Sequence, residues 1–228
     1  DYAYAYKMYN KVIYEDTYFE KASEGVKDSK KKYIEQVLSN IESCKAEENY
    51  SKAVSQIRDA IEVIGKSTSL DEELETCKAL LLTQEVENII SEAETYISAG
   101  NYVDSIRLLE NKKEIYNDDK LISKLMEYCS LYSDFIINNI NLEYAEGRHS
   151  DAIGEGSAAL EVLGGITEAE NNIENIKNIM KNVYVDWKDG YIASDDYIGA
   201  IQVLNDAVST FPDDAVLQGN RQDCINTY

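Results

Sequence analysis

The sequence is poor in several residue types, and each shortage excludes a class of structure. Its 228 residues include 1 proline and 11 glycines, too few for the many tight turns of a β-sandwich. No apolar run reaches the roughly 18 residues of a membrane-spanning helix, and no basic segment precedes an apolar one as in a secretory signal. The 44% of hydrophobic residues is nevertheless ample for an ordered core. We therefore expect an ordered protein rich in long helices.

Basic residues are also scarce. The chain carries 22 Lys and Arg against 43 Asp and Glu, which gives a formal net charge of −21. Such an excess repels phosphate backbones, and no basic stripe interrupts it, so nucleic-acid binding is not expected. The charge favours cationic partners, although a merely solvated acidic surface is the simpler interpretation.

The residues that usually perform chemistry are sparse as well. His149 is the only histidine, and the four cysteines form no CxxC pair, so neither a zinc site nor a His-dependent catalytic group is predicted. We expect the cysteines to be buried free thiols. Acidic pairs at 118–119, 195–196 and 213–214 are predicted to cap helices, with calcium binding as the alternative. No phosphate-binding glycine loop occurs. The sequence therefore predicts no catalytic residue, no metal and no cofactor.

A repeated pattern is the most informative feature that is present. An aromatic residue opens each of four segments, with a small residue three positions later and an aliphatic one four positions later. The four segments begin at Tyr50, Tyr102, His149 and Tyr197, so successive starts lie 52, 47 and 48 residues apart. A fixed period in this range is typical of helical repeat arrays, because each repeat buries its apolar face only against its neighbours.

Each repeat is predicted to contain a long helix A of about 25–30 residues and a short helix B of about 15. The turns from A to B are expected at 48–49, 100–101, 147–148 and 195–196, where Gly and Asn tolerate a left-handed backbone. The predicted repeats span residues 17–66, 69–117, 118–165 and 166–212, and 213–228 form a C-terminal capping helix. Gly154 and Gly156, inside a helix, are expected to mark close packing. The whole chain, 1–228, is thus expected to be one helical-repeat domain.

Two further expectations follow from this organisation. The links from B to the next A are short, so successive A helices should be staggered rather than level. Residues 1–16 fit either the trailing helix B of an upstream repeat, matched from Tyr2 to Ile13, or an unrelated Tyr-rich helix. We expect the natural protein to extend upstream of Asp1, where an anchor would lie. An extracytoplasmic or cell-surface location is then favoured over a cytoplasmic one.

The turn and helix B resemble the tetratricopeptide repeat. The strongest stretch runs from Asp195 through Tyr197, Ala200, Ile201 and Leu204 to Pro212, with a similar pattern from Gly100 to Leu109. The period of 47–52 residues exceeds the family's value of about 34, and the excess lies in helix A. The resemblance implies an all-α, right-handed α-α superhelix (a solenoid of about four helix-turn-helix repeats) whose A helices line a concave protein-binding surface.

The inward positions of helix A that the resemblance implies define a candidate groove. It contains apolar, amide and acidic side chains: Glu94, Ile97, Asn138, Asn141, Tyr144, Asp189 and Ile192. We expect a non-enzymatic scaffold that binds a protein or peptide segment, with a basic segment as one candidate. The alternative is a cell-envelope module that binds a solute or glycan through exposed tyrosines, of which the chain has 18 in all. An enzyme with an unrecognised site is a third hypothesis.

Overall fold

A computed structural model describes all residues, 1–228, and contains ten α-helices and no strand. A 3₁₀ turn, Thr167–Ala169, precedes the eighth helix. The helices are α1 (Tyr2–Tyr9), α2 (Phe19–Ala46), α3 (Tyr50–Ile64), α4 (Thr68–Ser98), α5 (Tyr102–Tyr116), α6 (Asp119–Ala145), α7 (His149–Leu163), α8 (Glu170–Ala193), α9 (Tyr197–Thr210) and α10 (Ala215–Thr227). The predicted all-α class is confirmed, and consecutive helices pack against one another.

Long and short helices alternate along the chain as the repeat predicts. The long helices α2, α4, α6 and α8 contain 28, 31, 27 and 24 residues. The short helices α3, α5, α7 and α9 contain 15, 15, 15 and 14 residues. Each short helix begins at the predicted residue, Tyr50, Tyr102, His149 or Tyr197. The spacing of apolar residues was therefore sufficient to locate both kinds of helix.

The four turns between a long helix and the following short one share a left-handed residue at the first predicted position. Gly100 and Gly147 have φ angles of +77° and +76° there. Glu48 and Asp195 occupy the same place with φ angles of 54° and 58°. A side chain in this region costs energy that glycine avoids, so two of the four turns carry a residue that is less suited to the required backbone.

Residues 1–88 form the first of two compact units. Its core joins apolar side chains of α2, α3 and the first part of α4: Val37, Ile41, Cys44, Ala53, Val54, Ile57, Ala60, Ile64, Leu70 and Cys77. Lys45 of α2 links this core's rim to α4, since its ammonium lies 2.8 Å from the carboxylate of Glu73. Nearer the middle of α2, Lys30 donates to the carbonyl oxygen of Ile64, 3.0 Å away at the end of α3.

Helix α1 shares only part of the helix B pattern. It begins at Tyr2, as the repeat requires, but it ends at Tyr9, after 8 residues, and none of them is fully buried. Ile13, the last residue of the proposed match, lies beyond the helix and is exposed. Tyr9 packs its ring on Gly25 of α2, at a position where a Cβ atom would lie 2.8 Å from the ring. Tyr6 is half-buried and packs against the core of the first unit, so α1 covers the edge of that core.

Residues 89–228 form the second unit, which contains the last turns of α4 and helices α5 to α10. Its long helix α6 buries eight residues that lie on one side of the helix: Leu121, Leu125, Tyr128, Cys129, Tyr132, Ser133, Ile136 and Ile140. Helix α8 presents Ile176, Met180, Val183 and Tyr184 in the same way. All four cysteines of the chain are free and buried, as predicted.

The small residue at the fourth position of each short helix is fully buried, as expected for close helix packing. Ala53, Ala152 and Ala200 have no exposed surface, and neither has Ser105. The hydroxyl of Ser105 donates to the carbonyl oxygen of Ala93, 3.0 Å away on α4. Helix α5 thus approaches the preceding long helix closely enough for a side chain to reach its backbone.

The two glycines of α7 have different surroundings, and the prediction for one of them was wrong. A Cβ atom on Gly156 would lie 2.5 Å from the sulfur of Met180, so Gly156 does mark close packing between α7 and α8. Gly154 has no atom within 4 Å of that position and is exposed. Gly154 lies on the solvent side of α7, where no neighbour requires a glycine.

Acidic residues cap helices, as predicted. Asp118 accepts a hydrogen bond from the amide of Lys120, Asp196 from Gly199, and Asp214 from Leu217. Each carboxylate thereby satisfies an amide that the first helical turn leaves without a partner. None of the helices combines the length and apolar character that crossing a bilayer requires.

Candidate binding surface on helices α6 and α8

Helices α6 and α8 lie side by side and run parallel. Two hydrogen bonds join them: Asn172 donates to the hydroxyl of Ser130 at 3.3 Å, and the Tyr144 hydroxyl donates to Asp186 at 3.0 Å. Both bonds connect residues 42 positions apart, so the two helices keep one register along this contact. Ser130, Tyr144 and Asp186 are exposed, and the seam between the helices therefore opens to solvent.

The same register shows that the two helices are not level. With this offset of 42, Glu170, the first residue of α8, lies level with Tyr128 of α6. Tyr128 is nine residues beyond the start of α6 at Asp119, which corresponds to about 13 Å along the axis. The predicted stagger of successive long helices is confirmed for this pair, and it follows from the short link between α7 and α8.

An exposed and largely polar row follows α6 beside this seam. Its members alternate at spacings of four and three, which keeps them on one side of the helix, and they are Glu127, Leu131, Asp134, Asn138 and Asn141. Neither Asn138 nor Asn141 hydrogen-bonds through its side chain to another part of the protein. Their carboxamides are free to donate to and accept from a ligand.

Helix α8 carries a longer row of the same kind. Four asparagines with spacings of four, three and four are exposed: Asn171, Asn175, Asn178 and Asn182. Asp186 and Asp189 continue the row at the same spacing. We call Asp134, Asn138 and Asn141 of α6, with Asn171, Asn175, Asn178, Asn182, Asp186 and Asp189 of α8, the α6–α8 face.

This face is negatively charged and has no exposed cation. From Met126 to Ala145, α6 contains no Lys or Arg. The three lysines of α8 are only partly exposed or buried: Lys181 lies 3.0 Å from Asp214, and Lys188 lies 2.7 Å from Asp189. Lys188 offsets the charge of Asp189, whereas Asp134 and Asp186 have no lysine or arginine partner, and these two carboxylates attract cationic groups.

Four of the predicted groove residues lie on or beside the α6–α8 face. Asn138, Asn141 and Asp189 belong to it, and Tyr144 contacts it through the hydrogen bond to Asp186. That hydrogen bond raises the pKa of the Tyr144 hydroxyl, because the neighbouring carboxylate stabilises the protonated phenol. The structure thus brings Tyr144 of α6 next to the α8 row.

The other three predicted residues have different surroundings. Glu94, at the end of α4, lies 3.4 Å from Lys124 in the first part of α6, and Ile97 is half-buried one turn later. Ile192 is also half-buried, and it packs against the small apolar cluster of Ala200, Leu204 and Cys224. Its side chain contributes to the packing of α8 on α9 and α10.

Aromatic rings extend the surface at the end of α8. Tyr144 contacts His149 edge-on with centroids 5.5 Å apart, and His149 stacks on Trp187 at 5.4 Å and an interplanar angle of 10°. Tyr191 lies 6.4 Å from Trp187. His149 is therefore packed between two aromatic rings. Trp187 and Tyr191 are both half-buried.

The asparagine row of α8 was missed by reasoning from the sequence. Asp189 and Ile192 of α8 were assigned to the groove by transferring positions from the resembling family, whose helix A is shorter. The four asparagines carry their own signal, because their 4-3-4 spacing already predicts one polar helix face. Knowing that this face adjoins that of α6 required the packing of the two helices.

No family model matches the chain, and no curated protein is significantly similar to it in sequence.

Proposed function

We propose that this chain is a tetratricopeptide-like scaffold that binds an extended protein segment carrying basic residues along the α6–α8 face. The observation that carries the proposal is the pairing of two parallel helices whose exposed rows offer carboxamides and carboxylates and no cation. The alternation of long and short helices, with a closely packed small residue in each short one, supports a repeat scaffold.

The chemistry of the face suits an extended backbone. A carboxamide both donates and accepts, so it can pair with the amide and carbonyl groups of an extended peptide. Asparagines spaced at about one helical turn, roughly 5.4 Å, present such groups at regular intervals. The carboxylates of Asp134 and Asp186 complement basic side chains of the segment and repel acidic ones.

A sugar or another small solute is the alternative ligand. Sugar rings stack on open, well-exposed aromatic faces. The most exposed tyrosines, Tyr14, Tyr18 and Tyr228, lie towards the two ends of the chain and outside α6 and α8. These positions favour the peptide over the sugar as the ligand of the α6–α8 face.

The proposal is tested by selecting binders from a random peptide library displayed on phage, using the intact chain. We expect enriched peptides to carry net positive charge and their affinity to fall as salt rises, because screening weakens attraction between exposed charges. Replacing Asn138, Asn141, Asn178 and Asn182 with Ala should weaken binding at least about tenfold, since each lost hydrogen bond costs about 0.5–1.5 kcal/mol.

The matched control replaces exposed amides of the short helices, Asn111 and Gln202, with Ala. These two substitutions also remove exposed amides from helices, but they lie outside the face, so affinity should not change. Enrichment of acidic or uncharged peptides would contradict the proposal, as would equal losses in the two variants. Binding of glycans, with no peptide enriched, would favour the alternative ligand.

A further inference from the structure

A pocket at the end of the α6–α8 face has features that the peptide proposal does not require. It has a volume of about 260 Å³ and is lined by five residues of α8 and its C-terminal turn, with one residue of α7: Asp186, Trp187, Gly190, Tyr191, Ser194 and His149. Aromatic rings, one carboxylate and one glycine thus line a single opening. The hydroxyl of Tyr144, on α6, donates a hydrogen bond to that carboxylate, which belongs to Asp186.

Gly190 is the most informative residue of this pocket. It lies inside the last turn of α8, which ends at Ala193, and a Cβ atom there would meet nothing within 4 Å. Glycine inside a helix is destabilising relative to alanine. No neighbouring atom requires a glycine here, and Gly190 lines the pocket, so a large side chain at this position is the simplest way to obstruct it.

The walls of the pocket select for positive charge. The π-faces of Trp and Tyr rings attract cations within about 6 Å, and Trp187 and Tyr191 are both half-buried at the pocket edge. Asp186 accepts the Tyr144 hydroxyl on one carboxylate oxygen, Oδ2, which leaves Oδ1 available for a second donor. The hydroxyl of Ser194 donates to the backbone carbonyls of Gly190 and Tyr191, and it is therefore already engaged.

We propose that this pocket holds an arginine side chain of the segment bound along the α6–α8 face, with the guanidinium against Trp187 and Tyr191 and bonded to Asp186. This anchor rests on the proposed function and specifies one residue of its ligand. Arginine is favoured over lysine because the planar guanidinium both stacks on aromatic rings and bonds a carboxylate at fixed geometry.

The pocket can be tested without the unknown partner, because Trp187 is the only tryptophan in the chain and its fluorescence reports on this pocket. The probes are N-acetyl-arginine amide and N-acetyl-citrulline amide, which match in shape but differ in charge. We expect a saturable change in Trp187 fluorescence with the arginine probe and at least about tenfold weaker binding of the citrulline probe, a difference of about 1.4 kcal/mol.

Two variants with a matched control locate the effect. Gly190→Leu fills the pocket and should abolish binding of the arginine probe. Gly154→Leu, at another exposed helix glycine with open space around it, should leave binding unchanged. Asp186→Asn can still accept the Tyr144 hydroxyl but lacks the charge, so it should reduce the preference for arginine over citrulline. Helical circular dichroism checks that each variant is folded.

The outcomes separate this inference from the proposed function. Equal binding of both probes, no saturable change with either, or full binding by Gly190→Leu would overturn the arginine pocket. The scaffold proposal would still hold if library peptides bound the face in a manner sensitive to the asparagine substitutions. Conversely, discrimination by the pocket with no peptide selected would support the pocket and contradict the scaffold proposal.

Discussion

Two glycines, Gly147 and Gly154, provide a test of the backbone geometry, because the same substitution should have opposite effects at them. Gly147 has a φ angle of +76° in the turn between α6 and α7. A side chain in the left-handed region destabilises the folded state by about 1–2 kcal/mol. Replacing glycine also reduces the conformational entropy of the unfolded chain, which stabilises the protein by about 0.4–1 kcal/mol. Gly147→Ala should therefore lower the free energy of unfolding by about 0.5–1.5 kcal/mol.

Gly154→Ala should act in the other direction. Gly154 is an exposed residue within α7, and no atom lies within 4 Å of the place that a methyl group would occupy, so alanine should stabilise the helix by about 0.5–1 kcal/mol. The turn should still form in Gly147→Ala, since Glu48 and Asp195 adopt positive φ angles at the equivalent places. The two variants are thus expected to differ by about 1–2.5 kcal/mol.

Urea unfolding followed by Trp187 fluorescence measures both effects, because Trp187, Gly147 and Gly154 all belong to the unit of residues 89–228. Thermal unfolding should show the same order, at roughly 2–4 °C for each kcal/mol. Stabilisation by Gly147→Ala, or destabilisation by Gly154→Ala, would refute the assignment of these two backbone positions.

Three further predictions concern the interior. Glu168 accepts a hydrogen bond from Lys113 that lowers the pKa of its carboxyl in the folded protein. Glu168→Gln should therefore lower the free energy of unfolding by about 1–2 kcal/mol at pH 7. The difference between the two proteins should shrink as the pH falls from about 4.3, the pKa of an unfolded glutamate, through the lower pKa of the folded state, as urea titrations at several pH values would show. Burial raises the pKa of the Cys129 thiol to about 12, so mass spectrometry should find it alkylated by iodoacetamide at pH 8 only in denaturant. Leu204→Ala, at a fully buried position, should cost about 2–4 kcal/mol, whereas the same change at exposed Ile198 should cost almost nothing in urea unfolding.

Features that depend on a single helix and its adjoining turn were predicted correctly from the local sequence. The starts of the short helices, the acidic caps and the left-handed turns all depend on residues within a few positions of each other. The sequence left open whether residues 1–16 form a helix B, because the match up to Ile13 rested on a few spaced residues. Their spacing does not show how deeply a neighbouring helix covers those residues, and in the structure no residue of α1 is fully buried.

The α6–α8 face could not be predicted as a whole, because it forms only where α6 and α8 pack side by side, with residues 42 positions apart in the chain as neighbours. Asn138, Asn141 and Asp189 are exposed in the structure, and their role in a binding groove stays a prediction. Ile192 was named with them, yet it packs against Ala200 and Leu204. Periodicity identifies a helix face, but which neighbour covers that face is decided by packing.

The sequence by itself determined that the chain folds into alternating long and short helices, because apolar periodicity, caps and turn residues act over a few positions. Only the tertiary structure decided which exposed faces adjoin, that α8 is staggered on α6, and that Gly190 lies over a pocket beside Trp187. The physical reason is the distance along the chain over which the interactions act. Backbone hydrogen bonds within a helix join residues a few positions apart, whereas the register between helices is set by contacts of side chains far apart in the chain.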